Sequence, residues 1–227
     1  MPEPSDIWIV VAAYNEATVI GEVIAGLRRS YPHVVLVDDG STDATGHLAA
    51  AAGATVITHP INLGQGAALQ TAIDYALMRG APFVVTFDAD GQHRPDDVAT
   101  LVDALIAHGA DFALGSRFRG EAPNLPPLRR LLLKAAAVFT RLTTGLAVSD
   151  AHNGLRAMTR RGAQALRLRQ NRMAHASEIL DQIAASGLKY VETPVTIAYT
   201  EYSLGKGQTL GDAINILIDL FARRLHR

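Results

Sequence analysis

The run Phe87-Asp88-Ala89-Asp90-Gly91-Gln92-His93 gathers oxygen donors behind an apolar stretch, Pro82–Phe87, that reads as a buried strand. It precedes Arg94-Pro95-Asp96-Asp97, a turn into a helix. On an extended backbone Asp88 and Asp90 do not share a site with the turn that follows unless the chain bends, and Gly91 permits the bend. Two carboxylates brought roughly 4 Å apart repel by about 4 kcal/mol at an effective dielectric of about 20. A cation relieves that repulsion, and oxygen ligands at a strand end suit Mg²⁺ or Mn²⁺. A solvated acidic turn is the competing reading of any isolated D-x-D triplet.

Two other polar clusters follow apolar runs: Tyr14-Asn15-Glu16 and Asp38-Asp39-Gly40-Ser41. In open α/β sheets ligands bind at the carboxyl ends of the strands, and a purely structural sheet has no need of carboxylates at all three. Glu16 and Asp39 are suited to accept hydrogen bonds from ribose hydroxyls or a base N–H. Ser41 and Thr42 are equally suited to cap a helix. No G-x-G-x-x-G follows the first strand, and no G-x-x-x-x-G-K-[ST] is present, so a dinucleotide fold is poorly supported and a P-loop is excluded.

The elements that must hold these groups follow from periodicity. Ile7–Ala13, His33–Val37, Ala54–Thr58, Pro82–Phe87 and Asp111–Leu114 are short apolar runs, as expected of strands buried on both faces. Between them Thr18–Arg29, Ala44–Ala52, Ala67–Met78 and Asp96–His108 have helical spacing. Alternation at this spacing implies right-handed βαβ crossovers and a mostly parallel α/β sheet. After Gly115 the rhythm changes: helices are expected over Leu128–Leu142, Ala163–Leu168, Ser177–Ala185 and Gln208–Leu225, with Tyr190–Tyr199 extended.

Composition bounds the function. At 227 residues, 48% of them hydrophobic, the chain supports one α/β domain with a short appendage. With 21 basic against 22 acidic residues, a general nucleic-acid binder is disfavoured, and no nucleic-acid partner is expected. The absence of cysteine excludes disulfides, thiolate zinc sites and a cysteine nucleophile. Met1-Pro2-Glu3-Pro4-Ser5-Asp6 is unlike a secretory signal, and no run of about 18 apolar residues occurs, so a cytoplasmic chain is expected.

The order of five motifs resembles the family 2 glycosyltransferases of GT-A fold. They are Val11-Ala12-Ala13-Tyr14-Asn15-Glu16, Val37–Asp43, Asn62-Leu63-Gly64-Gln65-Gly66, Phe87–Gln92 and Gly115-Ser116-Arg117-Phe118. The family often carries proline where this chain has Ala12. The resemblance implies a nucleotide-diphospho-sugar donor, with Ala12, Tyr14, Glu16, Asp39, Gly64 and Asp88 in its pocket and Lys206 looping over its phosphates. It implies that Asp88, Asp90 and Gln92 hold the Mg²⁺ or Mn²⁺ that neutralises the leaving diphosphate, and that the anomeric centre is inverted by direct displacement.

The second half resembles the polyprenyl-phosphate branch, which includes the dolichol-phosphate mannose synthases. The marks are Gly115-Ser116-Arg117, Arg129-Arg130 and Asp150-Ala151-His152-Asn153-Gly154-Leu155-Arg156, where Leu155 replaces the branch's aromatic residue. An anionic acceptor phosphate needs Arg117, Arg129, Arg130 and Arg156 to position it more than it needs a base. A glycan hydroxyl needs a general base, for which Glu178 is the best candidate; with Asp90 and Asp150 it completes the expected catalytic carboxylates. The expected organisation is 1–203 as the GT-A domain, with a donor half to 115 and an acceptor half beyond it, followed by an amphipathic helix in 204–227. The wide apolar arc of that helix and its basic end, Arg223–Arg227, suit docking on the inner face of a cell membrane, on a membrane-protein partner or on a second copy. A nucleotidyltransferase, a D-x-D phosphatase and a nucleotide-sugar-binding subunit without turnover are the alternatives.

Overall fold

A computed structural model describes residues 2–170 and 174–199. In chain order its first elements are β1 (Ile7–Ala13), α1 (Ile20–Arg28), β2 (His33–Asp38), α2 (Thr45–Ala51), β3 (Thr55–Thr58), α3 (Gln65–Met78) and β4 (Phe83–Asp88). Then come α4 (Asp96–His108), β5 (Phe112–Glu121), α5 (Pro127–Thr144), β6 (Arg156–Thr159), α6 (Arg160–Ala165), α7 (His175–Ser186) and β7 (Tyr190–Thr196). Lys206 and the expected Gln208–Leu225 helix lie outside the described residues.

Successive residues of β1 point to opposite faces, and both faces are covered. Ile9 and Val11 pack with Ile20, Ile24 and Leu27 of α1 and with Leu101 and Leu105 of α4. Val10 packs on the other side with Leu69, Ile73 and Ala76 of α3 and Ile179 and Ile183 of α7. Each fully buried aliphatic side chain contributes about 1.5–3 kcal/mol. Two-sided burial explains why these strands read as unbroken apolar runs rather than alternating ones.

The strands form one sheet in the order β3-β2-β1-β4-β6-β5-β7. All neighbours are parallel except those of β6, which runs antiparallel between β4 and β5. No strand is expected over Arg156–Thr159 from the sequence. Four residues beginning with arginine carry too little periodicity to register. The second half therefore completes the same sheet, and a boundary at residue 115 falls inside β5.

Other boundaries move by a few residues. The helix expected over Ala163–Leu168 begins instead at Arg160, because the Thr159 side chain accepts a hydrogen bond from Gly162 N and caps it. Two registers matter for the site: Ala13 lies beside Asp38, and Ala12 beside Asp88. Thr86 lies beside Arg156. Because β6 is antiparallel, the loop that feeds it arrives at the same carboxyl edge that carries Asp38 and Asp88.

Candidate active site

The β1 and β2 ends are laced together. Asn15, at φ 53°, donates its backbone N–H to Ser41 Oγ (2.9 Å), and its own Oδ1 accepts from Thr42 N (2.9 Å). Glu16 N donates to Thr45 Oγ1 (2.7 Å), and Ala17 N to Asp43 Oδ2 (3.1 Å). Ser41 and Thr42 thus serve the β1 loop and do not cap α2, whose N-cap residue is Ala44. Tyr14 remains 43% exposed beside this latch.

Asp39 is buried, and its carboxylate is well occupied. Oδ1 accepts from His59 Nδ1 (2.7 Å) and Leu63 N (3.0 Å), and Oδ2 from Gly64 N (2.7 Å). His59 Nε2 in turn lies 3.1 Å from Thr71 Oγ1 on α3. The acid expected to read a nucleoside also clamps the Asn62–Gly66 turn against the sheet, and His59, five residues before Gly64, has no signature in the sequence that would announce it.

Beyond β4 the chain bends as expected, with Gly91 at φ 75°. Asp90 Oδ1 accepts from Gln92 N (3.0 Å), and Asp88 Oδ2 lies 2.8 Å from His93 Nε2. His93 is buried edge-on against Phe87, and its backbone bridges Ile197 beyond β7. Burial pushes the Asp88 carboxyl up, but the hydrogen bond and charge of His93, with Arg156 and His175 nearby, hold it below the usual value. Asp90 has no such support: burial first, then the charge of Asp88, raise it from 3.8 to about 6.

The sign of the resulting pH dependence follows. The folded chain binds a proton at Asp90 that the unfolded chain has lost, so without a cation stability rises as pH falls through about 6 toward 3.8. A cation needs the ionised carboxylate, so Mn²⁺-supported nucleotide binding is expected to weaken as pH falls below about 6. Titration calorimetry with UDP and Mn²⁺ on either side of that pH, beside thermal unfolding without metal, checks both slopes.

Arg117, at the far end of β5, is buried. Its Nε donates to Asp150 Oδ2 (2.6 Å) and its Nη2 to His152 O (3.2 Å), while Nη1 donates to Tyr199 Oη. Its backbone N–H also donates to Asp150 Oδ2 (3.1 Å). The Tyr199 ring carries the Arg129 guanidinium 5.2 Å from its centroid. Arg117 and Asp150, expected as a phosphate ligand and a catalytic acid, are thus an internal ion pair that sets Tyr199 beneath Arg129. Asp150→Asn leaves the Arg117 charge buried without its partner, a change expected to cost about 3–5 kcal/mol in denaturant unfolding.

Residues 8–167 match the profile described as Glycosyl transferase family 2. The chain belongs to that family. A UDP-N-acetylglucosamine–dolichyl-phosphate N-acetylglucosaminyltransferase of Methanococcus voltae is 32% identical over 88% of this chain and 89% of its own length. A polyprenol monophosphomannose synthase of Mycolicibacterium smegmatis is 31% identical over 91% of this chain and 82% of its own. Among solved structures, a glucosyl-3-phosphoglycerate synthase of Mycobacterium tuberculosis with Mn²⁺, UDP-glucose and phosphoglyceric acid superposes with TM-score 0.71. It is 21% identical and covers 96% of this chain and 79% of that one, a likeness of fold, GT-A. The nucleotidyltransferase, phosphatase and turnover-free readings are set aside: the chain is a glycosyltransferase.

In this glycosyltransferase the antiparallel β6 brings Gly154 and Arg156 to the D-x-D. A Cβ on Gly154 would overlap both oxygens of the Asp88 carboxylate. Arg156 is buried between the charges of Asp88 and Asp150, and burial lowers it to about 10. Beside it burial holds His152 near 4, hence neutral, and His152 Nδ1 and Asn153 Nδ2 are buried without protein partners. Polar groups left so at a catalytic edge are those a ligand can satisfy.

Glu178 sits in the first turn of α7. Its carboxylate accepts from Arg169 N (3.0 Å), Gln170 N (2.8 Å) and Gln182 Nε2 (3.2 Å). The transferase uses it to clamp the loop ahead of α7. Arg130 is exposed at the start of α5, one residue from Arg129. No three His, Cys, Asp or Glu side chains converge on a cation-sized space among the described residues.

Proposed function

We propose that the chain transfers a sugar from a nucleotide-diphospho-sugar to a polyprenyl phosphate, inverting the anomeric centre, with Mg²⁺ or Mn²⁺ held by Asp88, Asp90 and Gln92. The observation that carries the metal is the Asp88–Asp90 pair: two adjacent acids share one sheet edge, and the second is forced toward its neutral form for want of positive charge. The donors are oxygens, as a hard divalent cation prefers, and with so few protein ligands the remaining positions fall to phosphate oxygens and water. When bound, the cation offsets the charge that develops on the departing nucleoside diphosphate.

The protein's own groups do the positioning. Tyr14, Glu16 and the Asp39-clamped turn at Gly64 border the nucleoside, beside Ala12 on β1. Asp88, kept ionised by His93 and Arg156, presents its remaining oxygen to the donor sugar, and His152 and Asn153 supply donors to its hydroxyls. Arg129 and Arg130 receive the acceptor phosphate, with Arg129 fixed from below by Tyr199, Arg117 and Asp150.

An acceptor already ionised attacks without a base. That suits a site whose Glu178 is spent on loop amides, and it favours the lipid phosphate over a glycan hydroxyl. The names of the M. voltae and M. smegmatis relatives support the same acceptor class. We place the reaction at the cytoplasmic face of a membrane, where nucleotide sugars and lipid phosphates meet.

The test incubates the enzyme with UDP- and GDP-sugars and a polyprenyl phosphate, then examines the lipids by mass spectrometry. A glycosylated lipid phosphate that still forms with Glu178→Gln supports the reading. A product made only on hydroxyl acceptors, and lost in Glu178→Gln, overturns it.

A further inference from the structure

The helix α5 packs the wrong way round for a helix of a soluble core. It turns Ala136, Ala137 and Thr140 inward, while Leu128, Leu131, Val138 and Leu142 are 51–77% exposed. Arg130, Lys134 and Arg141 fall on the adjoining arc and are exposed. Elsewhere the large exposed apolar residues, such as Ile61, Met78 and Ile106, belong to different segments.

The charge on α5 selects its partner. Pro127–Thr144 holds four basic residues and no Asp or Glu, in a chain whose net charge is −1. A second copy would set two such helices against each other, like charge on like. An apolar stripe bordered by basic residues matches the headgroup boundary of an anionic bilayer, where the stripe enters the acyl region and the cations meet lipid phosphates. The helix also reaches the catalytic edge, since Arg129 in its first turn lies over Tyr199.

We propose that α5 is the surface by which the enzyme docks on an anionic lipid bilayer, seating Leu128, Leu131, Val138 and Leu142 at the headgroup–acyl boundary. Docking there puts Arg129 and Arg130 at headgroup depth, where the phosphate of a membrane-held acceptor resides. The choice of a bilayer rests on the polyprenyl-phosphate reading above.

The full chain is to be sedimented with vesicles of phosphatidylcholine alone and of phosphatidylcholine mixed with phosphatidylglycerol. Binding is expected to the anionic vesicles and to fall with salt. Lys134→Gln and Arg141→Gln should each weaken it by about fivefold, and Leu131→Asn and Leu142→Asn each by at least about tenfold. Transfer to a detergent-solubilised acceptor should be unchanged in all four.

Vesicle binding indifferent to these substitutions overturns the proposal. So does a lipid-free dimer that Leu142→Asn dissolves, which would give the stripe to a second copy. A lowered unfolding temperature of both Leu→Asn variants in lipid-free buffer also overturns it, because the stripe would then already be covered by the chain itself. Failure of the acceptor reading looks different: vesicle binding behaves as expected, yet no donor yields a glycosylated lipid phosphate.

Discussion

Asp90→Asn is expected to lower sugar transfer by about a thousandfold while leaving the metal-free protein at least as stable as before. The first effect follows from the charge the leaving diphosphate develops. Several kcal/mol of stabilisation come from a cation held at such a site, and about 4 kcal/mol is a thousandfold in rate. The second follows from the cost of Asp90 in the folded chain, where burial and Asp88 raise it to about 6. A neutral amide removes that cost and keeps the acceptor oxygen for Gln92 N, 3.0 Å away. Steady-state rates with Mn²⁺ and thermal unfolding in chelator measure the two together. A variant that loses activity through misfolding would lose stability as well, and the metal role of Asp90 would then go untouched by the rate; nucleotide calorimetry with Mn²⁺ decides it, since undiminished metal-dependent binding would refute the role.

Gly154→Ala is expected to cost about 1–3 kcal/mol in stability and about a hundredfold in kcat/KM. The new methyl would occupy space held by the Asp88 carboxylate. One escape moves the carboxylate and breaks its contact with His93 at 2.8 Å. The other moves the backbone and breaks the bonds from Thr86 Oγ1 to Gly154 O (2.6 Å) and from Leu155 N to Asn153 Oδ1 (3.0 Å). Overpacking of this kind costs the energy stated, and a displacement of about 1 Å at a reacting centre costs the rate stated. Gly21→Ala is the control. It lies in α1 with open space around it, and the added methyl should stabilise the helix by about 0.5–1 kcal/mol. Unfolding curves and kinetics of the pair separate a crowding effect at Asp88 from a general effect of replacing glycine.

The two substitutions differ in how much the chain itself announces them. Asp90 is visible because a D-x-D after an apolar run is a local pattern, and Gly91 beside it declares the bend. Gly154 is visible only as part of a motif; that it must lack a side chain follows from Asp88 lying against it, 66 positions earlier in the chain. Arg117 and Asp150 look like independent polar residues in the sequence, 33 positions apart, and only β5 meeting the loop before β6 makes them a pair. Glu178 reads as a base at the start of a helix, and its occupation by the amides of Arg169 and Gln170 depends on how that loop returns. The exposed arc of α5 is similar. Its spacing is regular, but which arc meets the core is decided by Ala136, Ala137 and Thr140 fitting against it.

By itself the sequence determined the donor side: buried parallel strands are continuous apolar runs, and the groups at their carboxyl ends follow them directly in the chain. It also determined the family, since five short motifs in order need no folding to be read. Tertiary structure decided the rest. The antiparallel β6 is four residues long, too short for periodicity to register, yet it carries Gly154 and Arg156 to Asp88 and Asp150 to Arg117. Local patterns record what neighbours in the chain do to one another. The charge balance of this site is set by residues tens of positions apart, and only the closed sheet brings their fields together.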